Sequence, residues 1–149
     1  MKKICYVFTC LFVMFMVSGC GNTRVLTCTG KNLGNNMNAY ADAKYYFKGD
    51  KLSNFEVEVV FKDITVSNLS SVWNSLKSQF TEQNKPVEEP GYKRSVKSDD
   101  KNYTFSVIIE VDYNKISKET MDKYGVEDYS SKTYDELREE NALENLICK

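Results

Sequence analysis

The chain contains no histidine. That removes Ser-His-Asp and Cys-His nucleophile pairs, His-ligated zinc and the usual proton shuttle near neutrality. It also lacks an excess of either charge, with 20 Lys plus Arg against 21 Asp plus Glu, so it is not a broadly basic nucleic-acid binder. There is no Cys-x-x-Cys pair and no repeat with a period of about 20–50 residues. Its 149 residues allow one domain and leave little room for two.

What is present begins with an address. Lys2 and Lys3 precede the apolar run Ile4 to Val17, which has the length of a signal h-region and is too short to span a bilayer comfortably. The run ends in Val17-Ser18-Gly19-Cys20, followed by polar Gly21-Asn22-Thr23. An aliphatic residue, two small residues and a cysteine in that order resemble the lipobox of bacterial lipoproteins. The resemblance implies that Cys20 receives a diacylglyceryl group and becomes the new N-terminus after cleavage. Two or more acyl chains give a stable membrane anchor where one is marginal. The expected organisation is a signal peptide over 1–19, a lipidated Cys20 with a short tether over 20–25, and a single domain over 26–149. About six extended residues reach only about 20 Å, so the domain should sit close to its membrane.

Cleavage removes Cys5 and Cys10 and, with Lys2 and Lys3, leaves 18 basic against 21 acidic side chains, a net charge of −3. A slightly acidic domain is not drawn to anionic lipid, so the acyl chains must hold it there. With Cys20 acylated, Cys28 and Cys148 remain. Two free thiols are uncommon in an exported chain, a two-cysteine metal site without histidine lacks further ligands, and redox pairs usually sit closer in sequence. The expectation is a structural disulfide. It would close a loop of about 120 residues, worth roughly 4–5 kcal/mol in the chain-entropy account, against a total stability of about 5–15 kcal/mol. Its Cα atoms should lie about 4.4–6.8 Å apart.

Hydrophobic periodicity outlines the rest. Val25 to Thr29 reads as a strand, Gly30 to Asn38 as a loop. Ala41, Ala43, Tyr45 and Phe47 alternate with polar neighbours, and Lys48-Gly49-Asp50-Lys51 is a tight turn. Phe55, Val57, Val59 and Phe61 continue the alternation, with Leu52 out of phase, which places a bulge near Ser53-Asn54. Ser67 or Asn68 can cap a helix whose stripe is Leu69, Val72, Trp73, Leu76 and Phe80. Tyr92 to Lys97 is a weaker strand, and Tyr103 to Tyr113 the longest one. Ile108, on the other face of that strand, suggests partial cover there. Ser117 opens a short helix that Gly125 ends, and Thr133-x-x-Glu136 is a capping box for a last helix expected to break near Asn141. Residues 143–148 read as either helix end or extended chain. The sum is α+β: a largely antiparallel sheet of about five strands packed on one face by helices, with Val57, Val59, Val107, Ile109 and Val111 buried against the first helix.

Candidate chemistry is sparse. The acid pairs Glu88-Glu89, Asp99-Asp100, Glu127-Asp128 and Glu139-Glu140 lack calcium-loop spacing, and catalytic carboxylate pairs have no sequence signature. Ser98-Asp99-Asp100-Lys101 matches Ser-x-x-Lys without its companion elements and falls in a turn. No catalytic, metal or cofactor-binding residue is therefore assigned. Ten tyrosines and eight phenylalanines are many for this length. Most fit the core; Tyr40, Tyr46, Tyr92, Tyr124, Tyr129 and Tyr134 are candidates for an exposed binding surface.

The lipobox, the segment Tyr45-Tyr46-Phe47-Lys48-Gly49-Asp50-Lys51 before an alternating strand, and Leu26-Thr27-Cys28-Thr29 matched by Cys148-Lys149 together resemble the YehR-like small bacterial lipoproteins and their relatives in low-GC Gram-positive bacteria. The Cys28/Cys148 pair looks like the Gram-positive branch and departs from the shorter YehR type. The resemblance implies an α+β domain on a lipid anchor and no known activity. The functional expectation is a non-catalytic binding or interaction lipoprotein on the extracytoplasmic face of the cell membrane. Its partners are the membrane, through its anchor, and an envelope protein or peptide, with no nucleic acid and no cofactor. The alternatives are a carrier or sensor of a small apolar ligand, which needs a pocket of about 300 Å³ or more, and a carboxylate-based or Ser-Lys hydrolase.

Overall fold

A computed structural model describes residues 23–33, 36–144 and 146–149. Cys20 and the apolar run before it lie outside them. The strands are β1 (Thr23–Leu33), β2 (Asn38–Lys48), β3 (Lys51–Lys62), β4 (Val87–Glu89), β5 (Tyr92–Asp99), β6 (Thr104–Asp112) and β7 (Ile147–Cys148). The helices are α1 (Leu69–Gln83), α2 (Lys118–Tyr124) and α3 (Tyr134–Leu143). The strands form one antiparallel sheet in the order β4-β5-β6-β3-β2-β1-β7. The fold is α+β, as expected, but the described sheet has seven strands where about five were expected. The additional ones, three-residue β4 and two-residue β7, are too short to carry a period-two pattern.

Local chemistry accounts for most boundaries. Gly49 supplies the positive φ of the β2–β3 turn. Opposite Tyr46 and Phe47 the register slips: Asn54 and Leu52 pair, and Ser53 is the extra residue, its hydroxyl donating to the Tyr46 carbonyl at 2.8 Å. That bulge returns Leu52 to the face of Phe55. Gly91 turns β4 into β5 at φ 78°, with the Ile116 backbone against the place a Cβ would occupy, so no other residue fits there without displacement. The expected loop over 30–38 is shorter than read. β1 continues to Leu33 and pairs with Asn38 to Ala41, because cross-strand hydrogen bonds hold polar residues that carry no strand pattern. Asn68 occupies the first cap of α1 in a left-handed conformation, and neither it nor Ser67 caps through its side chain. Ser117 does cap α2, accepting from the Thr120 amide at 3.1 Å, and Gly125 closes it at φ 65°. The capping box of α3 is present in both directions between Thr133 and Glu136. That helix runs past Asn141 to Leu143, because Asn141 turns inward and bonds the Leu137 carbonyl at 2.7 Å.

Among the described residues the helices lie on one face of the sheet. α1 covers one end, where Phe80 stacks on Phe105 at 4.4 Å and Trp73 at 4.5 Å. α2 and α3 cover the other end, around Tyr92, Val111, Leu26, Phe47 and Leu137. Val107 and Val111 are buried, but Val57, Val59 and Ile109 are only half-buried. The expected continuous burial against α1 does not occur, because α1 reaches only the Phe61–Phe105 end and leaves the middle of the face open.

The opposite face carries charges in cross-strand rows. Lys44, Glu56, Glu110 and Lys93 lie side by side across β2, β3, β6 and β5, and each lysine holds its neighbouring glutamate, at 3.8 and 3.4 Å. This offsets the repulsion of the adjacent glutamates. On this face Ile108, paired with Glu58 of β3 and Ser95 of β5, is half-buried.

Candidate binding cavity

The open middle of the helix-covered face deepens into a cavity of about 350 Å³. Its floor is Ala41, Ala43, Val57 and Ile109 from β2, β3 and β6, and its walls are Tyr45, Phe55, Tyr113 and Tyr129. Gly125 to Glu127 after α2, and Asn141, Glu144 and Leu146 from the C-terminal segment, complete it. Alternation in the strands presents these residues to one face, and small Ala41 and Ala43 leave the space.

Hydrogen bonds fix the walls. The Tyr45 hydroxyl donates to Asn141 Oδ1 at 3.0 Å, and the Tyr113 hydroxyl donates to the Glu127 carbonyl at 3.1 Å. Tyr45 packs on Phe55 at 4.9 Å and meets Tyr129 edge-on at 6.4 Å. Burial is the main reason the hydroxyls of Tyr45, Tyr113 and Tyr129 are held above their ordinary pKa; the nearby Glu127 carboxylate adds to the rise in each.

A larger recess of about 540 Å³ opens beside the charged face, lined in part by Tyr46, Glu56, Glu88, Lys93 and Glu110. It is a more open depression in which Lys93 and Glu110 pair with each other, and its lining holds three aromatic residues, Tyr46, Phe55 and Tyr92, against six in the smaller cavity. We regard the smaller cavity, with twice as many aromatic residues in its lining, as the better candidate site.

The acid pairs do not converge. Asp99 caps its own turn, accepting from the Lys101 amide and from Asn102, which lowers its pKa. Asp100 accepts from Trp73 Nε1 and Lys77 Nζ, both at 2.8 Å. Glu89 ties β4 to α2 through Lys123 and the Tyr124 hydroxyl, at 2.7 and 2.6 Å. Among the described residues no three His, Cys, Asp or Glu side chains are grouped to hold a metal. Ser98 is the next-to-last residue of β5 and Lys101 lies in the following turn.

Cys28 and Cys148 do converge. They face each other across β1 and β7, with Sγ atoms 2.02 Å apart and Cα atoms 4.0 Å apart. Thr27 and Lys149, one position away, exchange both backbone hydrogen bonds, so the cysteines occupy the close, non-hydrogen-bonded pairing site. That pairing sets the Cα atoms close, at the short end of what a disulfide spans, and their separation falls just below the expected range of about 4.4–6.8 Å.

The six unassigned tyrosines do not form one surface. Tyr92 is buried and stacks on Tyr124 at 4.5 Å, and Tyr129 and Tyr134 pack against the helix-side core. Tyr40 and Tyr46 lie on the opposite face, half-buried, in the β2 register of Asp42 and Lys44. The cavity was not assigned from sequence. The only available signal was the alanine pair in β2, which reads equally well as tight packing.

No protein-family model, no curated protein and no solved structure matches this chain.

Proposed function

We propose that the protein is a non-catalytic binding lipoprotein of the cell envelope, related to the YehR-like lipoproteins, anchored through acylated Cys20 on the extracytoplasmic face. Its binding site is the helix-side cavity. The observation that carries this reading is the gap that the described helices leave over the middle of the face, where Ala41, Val57 and Ile109 line an aromatic-walled space of about 350 Å³. A sheet that merely needed a core would close that space, since protein interiors are packed with few voids. The volume meets the size needed for a small ligand, which favours the carrier or sensor form of the reading over docking of a large partner.

Ala41→Trp should fill the cavity from its floor. The full chain, incubated with a small-molecule extract of envelopes and analysed by native mass spectrometry, should retain an added mass that the variant loses. Equal retention by both proteins would contradict the site.

A further inference from the structure

We infer that this cavity takes a small organic monocation with an apolar body, of the alkylammonium class, with its charge against tyrosine ring faces. The inference rests on the cavity being the binding site. Its lining holds six aromatic rings, two carboxylates (Glu127 and Glu144) and no lysine or arginine. The negative face of a tyrosine ring attracts a cation within about 6 Å, and more strongly once the cation is desolvated. The Tyr45 and Tyr113 hydroxyls are already bonded, to Asn141 and to the Glu127 carbonyl, which holds their rings in place before any ligand arrives.

Other rings, Tyr124 of this cavity's lining among them, already carry one of the protein's own cations. Lys62 sits 3.9 Å from the Tyr40 ring centre, Lys123 4.9 Å from Tyr124 and Arg24 5.2 Å from Tyr134. Among the described residues no such contact falls on Tyr45, Tyr113 or Tyr129. Glu127 and Glu144 likewise form no ion pair among the described residues, whereas neighbouring Glu140 is held by Lys132 at 3.1 Å. An apolar floor, three tyrosine rings with no protein cation among the described residues and two carboxylates with no ion pair among them complement a cation that is itself largely hydrocarbon. An anion attached to the same ligand would meet Glu127 and Glu144, so a free ammonium fits better than a phosphocholine headgroup.

The test uses the full chain in maltoside micelles, titrated with choline, with its neutral isostere 3,3-dimethyl-1-butanol, and with phosphocholine, followed by amide NMR shifts. Choline should perturb the amides of β2, β6 and residues 125–129 and bind at least tenfold more tightly than either of the others. The exposed double variant Glu127→Gln/Glu144→Gln should weaken choline several-fold. Tyr129→Phe, which keeps the ring, should bind as the parent does, and Tyr129→Leu should not. If neutral isostere and choline bind equally, the cation assignment is wrong while the cavity remains a site. If neither perturbs the cavity, the site itself is wrong. Phosphocholine binding as tightly as choline would overturn the choice of a free cation.

Discussion

Tyr45 and Asn141 stand ninety-six residues apart and meet in the core at 3.0 Å, where Asn141 also binds the Leu137 carbonyl. One buried amide thus ties a central strand to the last helix. Removing it leaves the Tyr45 hydroxyl buried without its acceptor, which costs about 1–3 kcal/mol. Asn141→Ala should lower the urea unfolding free energy by that amount, and an unchanged midpoint would show the bond to be idle. The same tyrosines set an alkaline limit. Desolvation raises the pKa of Tyr45, Tyr113 and Tyr129 above the ordinary 10.0, so the folded state favours the neutral phenol. Their contribution is complete below the unfolded value of about 10 and is lost as pH rises through the higher folded values. Urea midpoints should therefore hold level on this account up to about pH 9.5 and fall beyond it.

At the scale of elements, α1 hangs on few contacts: Trp73 over Phe105, Phe80 between Phe61 and Phe105, and Asp100 receiving Trp73 and Lys77. Trp73→Ala should cost about 3–5 kcal/mol, read by circular dichroism on chemical unfolding. Hydrogen bonds from Lys77 and Trp73 lower the Asp100 pKa, so this attachment is complete above the ordinary carboxylate range and weakens as pH falls through the folded value. Hydrogen exchange in α1 should accelerate in acid, and Asp100→Asn should remove that dependence. Long alternating strands, the bulge at Ser53, the capping box and Gly125 were legible because each is a local rule. β4, β7 and the extension of β1 were not, since their residues follow no period and are held only by pairing with distant strands. The gap between α1 and α2 was equally hidden. The stripe of α1 shows which side of the helix is buried, but not how far along the sheet the helix reaches.

For the whole molecule, the bond between Cys28 and Cys148 joins the first strand to the last, across 120 residues. β7 pairs at only two positions and has little else to hold it beyond α3 and the neighbouring Lys149 backbone. Cys148→Ser should lower stability by roughly 4–5 kcal/mol at most, with exchange faster first in β7 and the adjoining part of β1. Slowed exchange or unchanged stability would mean that the strands, and not the bond, hold the terminus. The proposed function has this domain working while held to a membrane by an acylated Cys20, three residues before β1 begins at Thr23. Metabolic labelling with an alkyne fatty acid, followed by membrane fractionation, tests it directly. The parent chain should carry the label and sediment with membranes, whereas Cys20→Ala should carry none and appear as released or uncleaved protein. Equal label and equal membrane association in the two would contradict the account.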